Sequence, residues 1–361
     1  MPAENRTQQP RQSPAGGSPT PGEPNDPEAA RHAGEAHSRP TGTPRSHPRR
    51  PLTTGRRAAT PELLTLAGRL QPRDQVIADL LVEHRTLTTS QLAVVLFPSL
   101  AAARARLYRL RQLGWVESFT PIRAAGRLET HWVAGQLAAR YVAVQQGVPP
   151  PTPRGWRDRL ESIAASSHLE HGDGANQVFV DLLTHTRAYP GTRLARWWGS
   201  ARTAAALGQR VHPDGHGVWT EAGRQMGFLL EFDTGTETLT RLVSKIDPYG
   251  RLRRDGGPDY PILFVLHSPT REANLHRKLN GHAGQLGVTV ATTTLTAADK
   301  TMDGLAGPVW KLAGNGRARH ALIDLPHHPG DAGPYHPGPP TPDQDPLHLL
   351  GATYLPGDEP N

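Results

Sequence analysis

Asp214, Glu231, Asp233 and Lys245 are the residues whose types and spacing could do chemistry. Asp214 stands in a Pro213-Asp214-Gly215 turn, and Glu231 and Asp233 close the apolar run Phe228-Leu229-Leu230-Glu231-Phe232. In an extended strand, residues two apart point to the same face, so both carboxylates could converge on one cation. Mg2+ prefers oxygen ligands and keeps several waters, so two or three carboxylates plus a phosphate suffice to hold it. Lys245, on the segment after the strand, borders an apolar helical face and could reach the same pocket. This makes Asp214, Glu231 and Asp233 candidate metal ligands, and Asp214, Glu231 and Lys245 the candidate catalytic set. Turn chemistry for Pro-Asp-Gly and helix capping for the strand-end acids account for the same residues without a metal.

Other polar clusters carry less. His168 and His171 flank Glu170 at a spacing that can hold zinc, but no third ligand is identifiable. His212 and His216 bracket Asp214 and could act on a proton, while Asn176 and Asp181 could line the acid pocket. Trp197-Trp198 reads as packing rather than a base-stacking platform. Gly-rich phosphate loops, the Rossmann fingerprint and Gly-x-Ser-x-Gly are missing from the chain. The absence of cysteine excludes disulfides, iron–sulfur clusters, thiolate zinc sites and cysteine nucleophiles.

The elements that must position these groups occupy the middle of the chain. The 361 residues suggest two domains plus unfolded flanks, and 37 Gly and 36 Pro cluster towards the ends. Residues 1–58 and 316–361 read as disordered Pro-rich tails, the first carrying arginine and the second histidine. Between them lie a first unit over 61–147, a Pro-rich linker over 148–155 and a second unit over 156–315. No apolar run is long enough for a membrane span or a signal peptide, so the expectation is a cytoplasmic protein with no membrane partner. The formal charge is +7, almost all of it arginine, with lysine only at positions 245, 278, 300 and 311.

Helical spacing in the first unit predicts a helix through Val76, Ile77, Leu80 and Leu81, then one capped by Thr88 or Thr89, then a third starting at Pro98-Ser99 and closed by Gly114. Strand-like runs over 115–119 and 130–133, joined by a turn containing Gly126, and a fourth helix from Gln136 to Gln146 complete the order of a winged helix-turn-helix. On the third helix Leu100, Ala103, Leu107 and Leu110 form an apolar stripe. Opposite it lie Tyr108 and Gln112, with Arg106 and Arg109 on one flank and Arg104 and Arg111 on the other. Small or hydrogen-bonding residues facing base edges, with cations towards both phosphate walls, suit a helix entering the major groove. A solvated basic face on an ordinary helix is the alternative.

The second unit reads as α/β: a helix over 175–186, buried strands over 228–232, 261–266 and 287–294, and a helix over 273–279. Thr234 to Glu237 has capping-box spacing and opens a helix that Pro248 ends.

Taken together, the run from Arg73 (RDQVIADLLVEHRTLTTSQL), the run from Ala103 (ARARLYRLRQLGWVESF), His171…Asn176, Trp197-Trp198, Pro213-Asp214-Gly215 and the segment Glu231 to Glu237 resemble the replication-relaxation family over residues 70–300. Members are typical of actinobacterial plasmids and integrated mobile elements. The resemblance implies binding to double-stranded plasmid or mobile-element DNA and a role in its replication or relaxation. The second unit also resembles the PD-(D/E)xK nuclease core, an αβββαβ arrangement, which puts Asp214 at the first acid and Glu231 at the second. It departs at Asp233, where that motif has lysine; Lys245 on the next helix is the candidate replacement. The alternatives are an active Mg2+-dependent endonuclease or nickase, with Mg2+ as cofactor only in that case, and a winged-helix transcription regulator with a non-catalytic second domain. Oligomeric state is not legible from the sequence, a homodimer being one option.

Overall fold

The computed structural model describes residues 68–350 apart from 124–125, 128, 281–286, 315, 317 and 331–332. The N-terminal tail expected over 1–58 lies outside the described residues. The side chains of 122–128 are also left aside.

The N-terminal part opens with α1 (Pro72–Glu83), which starts at a proline where a missing N–H costs nothing and closes a capping box between Gln71 and Asp74. A short strand β1 (Leu87–Thr88) leads into α2 (Thr89–Leu96), capped by Thr88 with Gln91 completing the reciprocal pair. Ser99 caps α3 (Leu100–Gln112), and Gly114 ends it in the left-handed region at φ 72°. Strands β2 (Val116–Phe119), β3 (Ile122–Arg123), β4 (Gly126–Arg127) and β5 (His131–Ala134) follow; β5 lies between β1 and β2, and β3 pairs with β4 in a separate ribbon. Helix α4 (Gln136–Gln145) closes the set. Ala103, Leu107 and Leu110 of α3 are buried as their spacing predicts, but Leu100 is 37% exposed.

Helix α5 (Pro153–Ala164) starts inside the expected linker, again at a proline, and packs Leu160 and Ile163 against Phe119 and Val133 of the small sheet. Next come the long helix α6 (Leu169–Ala188) and strand β6 (Thr192–Gly199), a short helix α7 (Ser200–Ala206), then β7 (Gly215–Glu221) and β8 (Arg224–Asp233). Helices α8 (Leu239–Ser244) and α9 (Ile246–Arg254), β9 (Ile262–Leu266), α10 (Pro269–Asn280), β10 (Val290–Thr294), α11 (Leu295–Ala298), β11 (Trp310–Leu312), β12 (Arg319–His320) and α12 (Pro346–Leu349) complete the described chain. The larger sheet has seven strands in the order β12-β11-β10-β9-β8-β7-β6, parallel along β8-β9-β10 and antiparallel elsewhere.

Both faces of this sheet are covered, which is why its central strands are continuous apolar runs rather than alternating ones. Leu230, Leu263 and Val265 join the core beneath α6, while Leu229, Ile262, Phe264 and Leu266 pack against α8, α9 and α10. The α6 core extends without a break into α1, α2 and α3, through Val76, Leu81, Leu92 and Leu107. Polar ties reinforce the seam: Asn176 Nδ2 donates to the Thr86 carbonyl, Arg187 Nη2 to that of Val95, and Gly199 N to Glu83 Oε1 at 2.9 Å. Among the described residues, no helix is long and apolar enough to cross a membrane.

Trp197 and Trp198 are buried, as the packing reading expects, and three other expectations change. Trp197-Trp198 lies in strand β6, and β7 was hidden by its glycines: a Cβ at Gly217 would sit 2.1 Å from the Phe228 ring, so glycine is what lets that ring lie flat across the strand. The helix expected to open within 234–237 opens at Thr238, whose hydroxyl accepts from Arg241 N. Pro248 does not end that helix; it occupies the first turn of α9, where its missing N–H has no intrahelical partner to lose. The chain beyond 317 is not a tail as far as 350: Leu322, Ile323 and Leu325 are buried in the main core. The carbonyls of Pro337, Gly338 and Pro339 also close around the buried guanidinium of Arg196. Residues 351–361 lie outside the described residues.

Candidate functional site

The acidic cluster forms where the meander β6-β7-β8 meets α6 and the α8–α9 junction. Asp214 directly precedes β7, and its backbone N–H donates to the Leu230 carbonyl at 2.8 Å, which pins the turn to β8. Its Oδ2 accepts from Phe232 N at 2.8 Å and its Oδ1 meets His171 Nε2 at 2.7 Å. His171 reaches this point because Gly174 lets α6 lie on the Phe232 ring, where a Cβ would stand 2.2 Å from ring carbon.

Strand parity sends Glu231 to the opposite face from Phe232, towards the α8–α9 junction. Tyr249 donates its hydroxyl to Glu231 Oε1 at 2.5 Å, and Lys245 Nζ stands 3.4 Å from Oε2. Lys245 also pairs with Glu237 at 2.9 Å. Asp214, Glu231 and Lys245 are thus brought together.

Asp233 is not. It shares a face with Glu231, but Arg271 of α10 engages both of its carboxylate oxygens, with Nη2 at 2.9 Å from Oδ1. The same guanidinium donates to the Glu237 carbonyl, and Gly235 N donates to Asp233 Oδ1. The three carboxylates expected to ligate one cation are therefore divided, and among the described residues no group of three His, Asp or Glu is arranged to hold a metal. Among the described residues, His168 and His171 are not part of such a group either.

Electrostatics mark Glu231. Burial, and after it the charge of Asp214, raises its pKa to about 7, against the pull of Lys245 and Tyr249. His171 is raised by its hydrogen bond to Asp214, against its burial. Burial works against the Lys245 ammonium, but the charges of Glu231 and Glu237 outweigh it and its pKa rises. Burial and the adjacent Glu231 keep the Tyr249 phenol protonated and a donor. Tyr249 was not singled out from the sequence, and Glu237 was read only as the end of a capping box; the i, i+4 relation of Lys245 to Tyr249 was the available signal.

On α3, Arg104, Tyr108, Arg109 and Gln112 are exposed along one face, Tyr108 to 60%. Arg106 is not part of that face. Its Nε donates to Asp74 Oδ1 at 3.0 Å and its Nη2 to the Arg69 carbonyl, so it anchors α3 to the fully buried carboxylate of α1. Arg111 lies 3.7 Å from Glu117 at the start of the small sheet. Of the other residues considered, Asn176 is spent on the seam with Thr86, and Asp181 accepts from Gln177 on α6. His216 is buried between Arg196 and the Phe228 carbonyl rather than beside the acids.

A search of curated proteins finds no match. The replication-relaxation family model matches residues 79–261, a span that runs from α1 through α3, the small sheet, α6 and the whole acid–lysine cluster to the start of β9. The match covers half of the chain, and the protein belongs to the replication-relaxation family.

Proposed function

We propose that this protein binds double-stranded DNA through the exposed face of α3 and acts in the replication or relaxation of a plasmid or mobile element in the cytoplasm. The observation that carries the reading is the exposed row Arg104, Tyr108, Arg109 and Gln112 on a helix anchored from behind by Arg106 and Asp74. Three helices followed by paired strands is the element order of a winged helix-turn-helix, in which the third helix enters the major groove and the ribbon lies alongside. The test is fluorescence anisotropy of the full chain with duplex DNA over a salt series. Salt-dependent binding is expected, and duplex affinity no greater than that of a bovine albumin control would sink the reading.

The acid–lysine cluster favours a second reading, a Mg2+-dependent endonuclease or nickase of the PD-(D/E)xK kind. Its support is Lys245 Nζ at 3.4 Å from Glu231, with Asp214 raising the pKa of that carboxylate. The order α6, β6, β7, β8, α8–α9, β9, with the short α7 inserted between β6 and β7, is similar to the αβββαβ order of that core. Two carboxylates fit a water-rich ion: each oxygen already has one partner from the chain, and a carboxylate oxygen keeps a second lone pair. Bound there, Mg2+ would supply Lewis-acid polarisation of a phosphoryl oxygen and an acidified water. Asp214 and Glu231 would hold it, Tyr249 would fix the Glu231 rotamer, and Lys245 would place its ammonium beside charge developing on the phosphate. Nicking of supercoiled plasmid with Mg2+ or Mn2+, lost in Glu231→Gln and in Lys245→Ala, is the expected result. Intact supercoils with wild-type protein in either metal would leave the cluster a structural one.

A further inference from the structure

A cavity of about 260 Å³ lies between the end of α1, strand β5, α4 and the chain that leads into α5. Leu81, Val133, Ala143 and Leu160 line it, and the Trp156 ring forms one wall, held by its indole N–H on the Ala134 carbonyl at 3.0 Å. The segment expected to be a plain linker is part of this wall, through Val148, Pro149 and Pro151.

Two guanidinium groups, Arg85 and Arg159, stand at the rim. Among the described residues neither pairs with a carboxylate. Among the described residues, Arg159 Nη2 reaches the Val82 carbonyl, at 3.4 Å. Partial burial and the neighbouring charge of Arg85 draw the Arg159 pKa below its ordinary value. Arg85 has φ 69°, a left-handed conformation that favours glycine, so a bulky cation is kept where the backbone gains nothing from it. An apolar chamber with two like charges at its mouth is complementary to a molecule with an apolar body and an anionic end.

We infer that this cavity is a binding site for a small amphipathic monocarboxylate, its hydrocarbon portion among Leu81, Val133 and Leu160 and its carboxylate between Arg85 and Arg159. The forked guanidinium donors suit a planar carboxylate, and its negative charge would relieve the repulsion between the two cations at the rim. A site of this volume takes a short chain or a single ring rather than a long lipid.

Isothermal titration calorimetry of the full chain with octanoate, octanol and octylamine tests the assignment. Octanoate is expected to bind with one-to-one stoichiometry, octanol at least about tenfold more weakly, and octylamine more weakly still. Arg85→Gly and Arg159→Gln should each weaken octanoate by about tenfold. Both should keep the wild-type melting temperature, since φ 69° suits glycine and Arg159 is exposed. Ala143→Phe, which fills the chamber, should abolish binding of octanoate and octanol alike. Octanol binding as tightly as octanoate, wild-type affinity in the doubly substituted Arg85→Gly/Arg159→Gln protein, several equivalent sites, or no heat with octanoate would each overturn the assignment.

Discussion

Arg196 Nη1 and His216 Nε2 meet 3.2 Å apart on neighbouring strands, and neither residue is exposed to solvent. A guanidinium only donates, so Nε2 accepts and the proton of the neutral ring sits on Nδ1, where it donates to the Phe228 carbonyl at 2.7 Å. Burial, with the charge of Arg196 behind it, lowers the His216 pKa to about 3. His84, stacked on Trp197 with its ring centroid 4.0 Å away, is lowered to about 3 as well, by burial and then by Arg202.

Both histidines therefore stay neutral in the folded protein while they take up protons in the unfolded chain below pH 6.5. The two rings leave stability unaffected above that pH and lower it as the pH drops towards 3. Between pH 7 and pH 5 these two rings should remove about 4 kcal/mol of stability, about 2 kcal/mol each, set against the opposite contribution of Glu231 and read by urea denaturation of wild type beside the His84 variant. His84→Phe should remove half of this loss. An equal loss in that variant would show that other groups set the acid sensitivity.

Arg196 has no carboxylate among its described partners; it is held by the Pro337, Gly338 and Pro339 carbonyls, Gln344 Oε1 and the Trp198 ring. Arg196→Lys keeps the charge and loses the fork, so thermal melts should show a loss of about 3 kcal/mol. Ending the chain after residue 316 removes the same cage together with buried Leu322, Ile323 and Leu325. At about 2 kcal/mol for each apolar side chain, that exceeds what a marginally stable fold tolerates. The truncated protein should lack a cooperative melt, and an unchanged melt would remove the segment from the fold's support.

Glu231 gives the opposite pH sign from the histidines. Its pKa of about 7 lies above the ordinary value of 4.5, so the folded state keeps a proton that the unfolded chain releases. The stability this brings is complete below pH 4.5 and is lost as the pH rises through 7. Glu231→Gln, which carries no charge at any pH and still accepts from Tyr249, should be more stable than wild type at pH 8 by about 1–3 kcal/mol and equal to it at pH 4. A difference that does not change with pH would mean that Glu231 is ionised at no cost.

The arginines of α3 separate into two kinds by experiment. Replacing exposed Arg104 and Arg109 with Ala should leave the melting temperature unchanged, weaken duplex binding and reduce the log–log salt slope by about 2. Arg106→Ala should instead lower stability by about 3–5 kcal/mol, because the fully buried Asp74 loses its ion-pair partner. Anisotropy titrations at matched salt, read beside melting curves, distinguish the two.

The legible parts of this molecule are those whose partners lie nearby or whose burial is uniform. Strands β8 and β9 carry apolar runs over Phe228–Leu230 and Ile262–Leu266, β10 is a buried run rich in β-branched residues, and α1 to α3 carry local caps at Gln71, Thr88 and Ser99. Asp214, Glu231 and Lys245 could be grouped because strand parity and the following helix bring them near. What the sequence concealed depends on distant partners. Arg271 claims Asp233 from 38 residues along the chain, and Arg106 turns back 32 residues to Asp74. Arg196 is sheltered by carbonyls more than 140 residues away, supplied by a Pro/Gly stretch whose composition imitates a tail.

One turn of α6 carries two bonds with different destinations. His171 grips Asp214 at 2.7 Å, and Asp173, two positions on, grips His131 of β5 at 2.8 Å. With an unbroken core on either side of that turn, the two halves cannot hinge as beads on a linker would. On the proposed reading the molecule would act as a fixed caliper: a duplex seated on α3 would meet the acid–lysine cluster at a set displacement and rotation. Register along that duplex would then be a property of the fold, altered only by rebuilding the helix between them.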